Sequence, residues 1–323
     1  MIRKLKMARA GAVCAAALAW TLAAGAQAGG YRPPRTTFGA PDFQGVWTNL
    51  SLTQLERPSD AKTLILDEAE AAAVEQHLQT LLAGPIGGVG LPDPVFRDDP
   101  HAHFARIDGR VRSSWLTEPD DGHLPFNAEG AAEYKRRSEQ VLTAFDGPEA
   151  RDMSERCLIV GVGQEAPILN QNYSANYQIL QTPTEVAIYY EINHEVRIVR
   201  MNGRHPPKTV HVWMGDSIGH WDGDTLVVET TNFRADEAFR QDYLLSADAK
   251  VTERFTRISP TEIRYAFLVE DPKFYSRPWR GEMPFFVTKA RMFEDTCHEG
   301  NYSLPTVLAG ARKAEAEHAA PAR

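Results

Sequence analysis

Three short stretches of this sequence each bring together a proton carrier or carboxylate and an aromatic ring, two of them with an arginine. They are Tyr190-Glu191-Ile192-Asn193-His194 with Arg197, then Trp213 with Asp216 and His220, then Asp271-Pro272 followed by Tyr275, Arg277 and Trp279. Imidazole and carboxylate groups can move a proton, a guanidinium can steady an anion, and rings can hold a flat substrate. That combination points to acid–base chemistry of the hydratase, lyase or isomerase kind on a small hydrophobic or aromatic molecule. In this reading His194 or His220 carries the proton, and Asp216 or Asp271 orients it or acts as the second acid–base group. Arg197, Arg254 or Arg277 stabilises the anion, while Tyr190, Trp213, Tyr265, Tyr275 and Trp279 form the walls. The same residues would also suit a non-catalytic protein of the cell envelope that binds a small ligand. Arginine beside a carboxylate is also the commonest structural ion pair, so each group has a bland role open to it.

Other chemistries lack their signatures. Gly215-Asp216-Ser217-Ile218-Gly219 has the Gly-x-Ser-x-Gly spacing, but a nucleophile elbow needs a helix after it, and here His220-Trp221-Asp222-Gly223-Asp224 reads as a hairpin. His298-Glu299 opens like a zinc-protease motif, yet Tyr302 stands where the second histidine belongs. His194, His205, His211 and His220 follow no helix-borne or knuckle spacing, and no metal is expected. No phosphate-binding loop or dinucleotide fingerprint occurs, so no cofactor is expected.

The elements that must position these groups are mostly strands. Tyr177–Gln181, Val186–Ile192, Val196–Met201, Val210–Trp213, Gly219–Trp221, Thr225–Thr231, Val251–Ile258, Ile263–Glu270 and Phe285–Phe293 are short runs rich in β-branched and aromatic residues. Thr182-Pro183-Thr184, Asn202-Gly203, Asp222-Gly223-Asp224 and Ser259-Pro260-Thr261 read as the tight turns between them. Strands so joined run antiparallel, and closure into a barrel removes exposed edges. In one of them Val251, Glu253, Phe255 and Arg257 share a face, so polar groups alternate with apolar ones on it. Such a face suits either a ligand cavity or solvent. Between residues 50 and 150 the character changes. Leu66–Leu82 carries helical spacing, a Pro/Gly/Asp-rich stretch follows, and a second helix capped by Asn127 runs to about Phe145. The expected fold is therefore a mainly β, antiparallel, lipocalin-like meander barrel, residues 29–323, with a helical insertion after its first strand.

The N-terminal 28 residues read as a cleavable secretory signal: Arg3, Lys4, Lys6 and Arg9, an apolar stretch holding Cys14, then Ala26-Gln27-Ala28. A periplasmic or secreted chain without a stable membrane anchor is expected. Cleavage removes four of 35 basic residues and none of 43 acidic ones, taking the net charge from −8 to −12. That balance argues against a nucleic-acid partner. Two cysteines remain, Cys157 and Cys297, and in an oxidising compartment an even pair reads as one disulfide. Oligomeric state is not readable.

Seven blocks carry a resemblance across nearly the whole mature chain: Pro41–Trp47, Ser154–Cys157, Asn176–Ile179, Trp213–Phe233, Glu253–Arg257, Ser276–Trp279 and Cys297–Tyr302. On them the sequence resembles a family of bacterial exported proteins, mostly without an assigned function. The resemblance implies a shared architecture and pairing of Cys157 with Cys297, and carries no reaction or catalytic residue. More distantly, Gly45-Val46-Trp47 ahead of a β-meander looks like the first strand of lipocalin-like barrels.

Overall fold

The structure is a computed structural model that describes residues 31–83, 103–159, 165–170, 174–234, 243–295, 300 and 302–319. Residues 1–28, expected as an export signal, and Cys297 lie outside them. In chain order the strands are β1 (Gly45–Thr48), β2 (Ile65–Leu66), β3 (Arg106–Ile107), β4 (Arg110–Arg112), β5 (Leu116–Glu118), β6 (Asn176–Gln181) and β7 (Glu185–Tyr190). They continue with β8 (Val196–Met201), β9 (Asp216–Asp222), β10 (Thr225–Thr231), β11 (Lys250–Ser259), β12 (Glu262–Glu270) and β13 (Trp279–Val287).

Strand β1 and strands β6 to β13 close a nine-stranded barrel, because β1 pairs with both β6 and β13. The fold is therefore the mainly β, lipocalin-like barrel expected. One pairing differs. β8 and β9 run parallel, with Val199 opposite Ser217 and Met201 opposite Gly219, whereas every other barrel pair is antiparallel. An odd number of strands cannot alternate direction all the way round a closed ring, so one parallel pair is obligatory. The connection that reverses the chain there is 202–215, which includes Val210–Trp213, expected as a strand and found as part of this crossover. At the last strand the expectation was also displaced: β13 begins at Trp279 and ends at Val287, so Phe293 lies beyond it, 68% exposed.

Alternation decides what the barrel contains. Val251, Glu253 and Phe255 on β11, Ile263, Tyr265 and Phe267 on β12, Tyr177 and Ile179 on β6, and Ile188 and Tyr190 on β7 are all buried. At one end Trp47 donates its indole N–H to the Phe43 carbonyl (2.9 Å) and Arg257 lies 5.3 Å from its ring centroid, a cation–π contact. Gly45, at φ +136°, supplies a backbone angle that other residues rarely adopt. At the other end the segment Glu165–Asn170 plugs the barrel. Its Ala166 and Ile168 are fully buried, and the Ile168 N–H donates to the Tyr265 hydroxyl (2.8 Å).

The insertion is not only helical. β2, β4 and β3 form a small antiparallel sheet, and β5 joins the free edge of β13 beside β1. Its first helix, Glu68–Ala83, starts at a reciprocal cap: Asp67 Oδ1 accepts from the N–H groups of Ala69 and Glu70 (2.9 and 2.8 Å), and Glu70 accepts from the Asp67 N–H (3.1 Å). Ala71 and Val74 pack with Leu52, Leu66, Phe104 and Val111 into a second, smaller core. The second helix, Ala128–Thr143, is capped by Asn127, as its sequence predicts. A third helix, Ser303–Ala319, buries none of its residues and was not foreseen. Among the described residues no helix is long and apolar enough to cross a membrane.

Candidate functional site

The structure divides the residues expected to form one site among several places. Arg197, Tyr190 and Tyr265 do meet, inside the barrel. There the Arg197 guanidinium is paired with both oxygens of Glu253, donates to Ser217 Oγ (2.9 Å) and Thr230 Oγ1 (2.8 Å), and Glu253 also accepts from the Tyr265 hydroxyl (2.8 Å). Burial pushes the Tyr265 hydroxyl well up, and the Glu253 charge adds to it, so this phenol stays a neutral donor. Burial works against the Arg197 charge, but Glu253 outweighs it and holds the guanidinium charged. The Tyr190 hydroxyl is likewise raised by burial, with the Arg197 charge beside it working the other way. Glu253, Tyr190 and Tyr265 expose no surface and Arg197 exposes 2%. A ligand cavity lined by these groups was one reading of the alternation on Val251–Arg257. Among the described residues, Tyr177, Tyr190, Phe255, Tyr265 and Phe285 pack on one another beside these groups, and Ile168 of the plug bonds to Tyr265.

The remaining candidates do not converge. His220 is exposed on the outer face of β9, opposite Val227, which in turn faces Arg254. Arg254 is bound to Asp222 (2.8 Å). Asp216, on the same strand, receives two bonds from Arg200 (2.7 and 3.0 Å) and lies 2.7 Å from His205 Nδ1. Partial burial raises its carboxyl, yet these two partners win and hold it below the usual range. This network ties the 202–215 crossover to strands β8 and β9. His194 sits in the β7–β8 turn at φ +54°, its ring 6.1 Å from that of Tyr189. Asp271 is buried and accepts from Ser246 N–H and Oγ (2.7 and 2.8 Å), with burial raising its carboxyl. Tyr275 exchanges hydrogen bonds with the Leu244 backbone and stacks on Phe126, and Trp279 packs among Tyr243, Phe267 and Tyr275. Trp213 lies under Arg234 at 4.5 Å. Arg277 is exposed in a cleft with Glu118, Asp120 and Asp121. Cys157 is disulfide-bonded.

A ligand-sized opening lies elsewhere, between the insertion and the outer wall of the barrel. This cleft of about 430 Å³ has an apolar floor of Leu50, Ala71, Phe104, Val111 and Phe286. His103, Glu75, Glu68 and Arg106 line it as well. The size and the few polar groups over an apolar floor are those of small-molecule sites. The backbone around His103 is clamped: its carbonyl accepts from the Leu52 N–H (3.0 Å) and from Ser51 Oγ (2.9 Å), and the next N–H, of Phe104, donates to Glu75 Oε1 (2.6 Å). The other carboxylate oxygen of Glu75 lies 3.3 Å from His103 Nδ1. With Nδ1–H donated to Glu75, Nε2 is left to take a proton from a bound molecule. Glu75 is held by the helix and by Phe104, and is only 18% exposed, whereas the imidazole is 64% exposed at the rim. Arg106 meets Glu68 as a two-pronged pair (2.7 and 2.6 Å), which lowers the Glu68 carboxyl.

None of these four residues was singled out from the sequence. Glu75 is one polar residue on a helix and His103 sits in a stretch that reads as loop. The only local signal was the helical spacing of 66–82, which puts Glu75 next to the buried Val74. Among the described residues no group of three or more histidine, cysteine or acidic side chains could hold a metal ion. Comparison of the chain with protein-family models, curated proteins and solved structures finds no match.

Proposed function

We propose that this protein is an exported enzyme that moves a proton on a small apolar molecule, in a lyase, hydratase or isomerase reaction. The cleft between the insertion and the barrel is its active site. The observation that carries this reading is the His103–Glu75 pair, within hydrogen-bond reach and lining an accessible cleft with an apolar floor. His103 is the proton carrier, Glu75 holds its tautomer and orientation, and the apolar floor excludes water from one side of the substrate. The barrel is the scaffold, and its Arg197–Glu253 core is structural. Export rests on the charged, apolar and small-residue pattern of residues 1–28.

The test is a screen of small carbonyl and unsaturated compounds in deuterated water, following exchange and turnover by nuclear magnetic resonance. His103→Gln should abolish the activity found, and Glu75→Gln should lower kcat while leaving KM nearly unchanged. Activity that survives His103→Gln removes the cleft from the mechanism. Binding in the cleft without exchange or turnover of any compound would make the protein a ligand carrier of the cell envelope instead.

A further inference from the structure

We infer that the cleft takes a small apolar carboxylate, a compact aromatic or aliphatic acid, whose carboxylate replaces that of Glu68 on Arg106. This rests on the cleft being a ligand site. The guanidinium of Arg106 already holds a carboxylate in the two-pronged geometry that an acid would adopt, so Glu68 marks where the ligand's head group goes. The pair is open to exchange because both partners are in solvent, with 49% and 74% of their side chains exposed. An exposed ion pair contributes little and is readily traded for another. Glu75 cannot play this part, since its carboxylate is engaged by the Phe104 N–H and by His103. Beyond Arg106 the surface becomes apolar at Phe104 and Phe286, which suits a ring or short chain attached to the carboxylate. An acid anchored this way presents its body to the same cleft that His103 lines.

The charges make a directional prediction. With Glu68 as glutamine, Arg106 has no carboxylate to give up and the cleft loses one negative charge, so an acid binds more tightly. The probes are benzoate and its neutral counterpart benzyl alcohol, measured by isothermal titration calorimetry on the mature protein. Glu68→Gln should tighten benzoate and Arg106→Gln should weaken it, each by about two- to fivefold, the scale of one exposed ion pair. Arg106→Lys, which keeps the charge but not the fork, should fall between wild type and Arg106→Gln. Benzyl alcohol should bind all four proteins alike. Thermal unfolding confirms that each variant is folded, as exposed positions allow. Weaker benzoate binding in Glu68→Gln, or equal binding in Arg106→Gln and wild type, overturns the inference. If benzyl alcohol binds and benzoate binds no better, the carboxylate assignment fails while the cleft stands. If neither binds and His103→Gln leaves turnover intact, the cleft itself is not the site.

Discussion

Arg197 on β8 and Glu253 on β11 are paired across the barrel interior, the guanidinium on both carboxylate oxygens and both side chains out of contact with water. Two charges so placed lose their hydration, and only a complete set of partners makes the arrangement tolerable. Ser217, Thr230 and Tyr265 complete that set.

Removing one member strands the other. Arg197→Met or Glu253→Leu alone is expected to cost about 3–5 kcal/mol of stability, and the double variant clearly less than the sum. Urea denaturation of the four proteins of the cycle measures this. Small, additive losses would show that the interior tolerates an uncompensated charge and that the pair is not what organises it.

Glu133 sets a pH dependence. Hydrogen bonds from Arg136 and then Arg137, set against partial burial, hold its carboxyl at about 2, well below the ordinary 4.5. Because the folded value is the depressed one, its stabilisation is present above pH 4.5 and disappears as pH falls toward 2. Glu133→Gln should therefore lower stability at neutral pH by about 1 kcal/mol, given its partly exposed helical setting. The gap to wild type should shrink through the acid range, and a gap independent of pH would refute the assignment.

The start of the second helix is pressed against the turn after β12. Asn127 caps the Gly130 N–H (2.8 Å) while its amide donates to the Lys273 carbonyl (2.9 Å). A Cβ on Gly130 would lie 2.0 Å from the Phe274 carbonyl oxygen, a backbone atom that cannot swing aside. Gly130→Ala should cost at least the 1–3 kcal/mol typical of overpacking, although alanine favours helices elsewhere. A melting temperature at or above wild type would show that the helix can shift away from the turn without loss.

Cys157 adopts φ +55° and is disulfide-bonded. Peptide mapping of unreduced protein is expected to join the Cys157 peptide to that of Cys297, and reduction should lower stability by about 2–4 kcal/mol. A linkage to any other cysteine would contradict the pairing.

Short-range features were legible from the residues. β8 and β10 occupy the expected spans and Asn127 caps its helix, whereas the mixed polarity of Val251–Ile258 left its inward face open until burial assigned it to Val251, Glu253 and Phe255. Side-chain alternation and capping act within a few residues, so local chemistry expresses them directly. Whether that inward face enclosed a ligand or a packed core was not legible, because filling depends on what the plug Glu165–Asn170 and the other strands contribute. The parallel β8–β9 pair was hidden for a related reason: it follows from the number of strands in the closed ring, which no single turn records.

The candidate site lies at the far end of this scale. His103 and Glu75 are 28 residues apart, and Glu68 and Arg106 are 38 apart. The sequence by itself determined strand alternation, helix caps, the charge balance and the two cysteines, Cys157 and Cys297, that follow residue 28. Tertiary structure alone decided which polar groups became core, which became wall fastenings, and which line an opening. Those outcomes depend on long-range pairing and on how completely neighbouring elements fill the space between them.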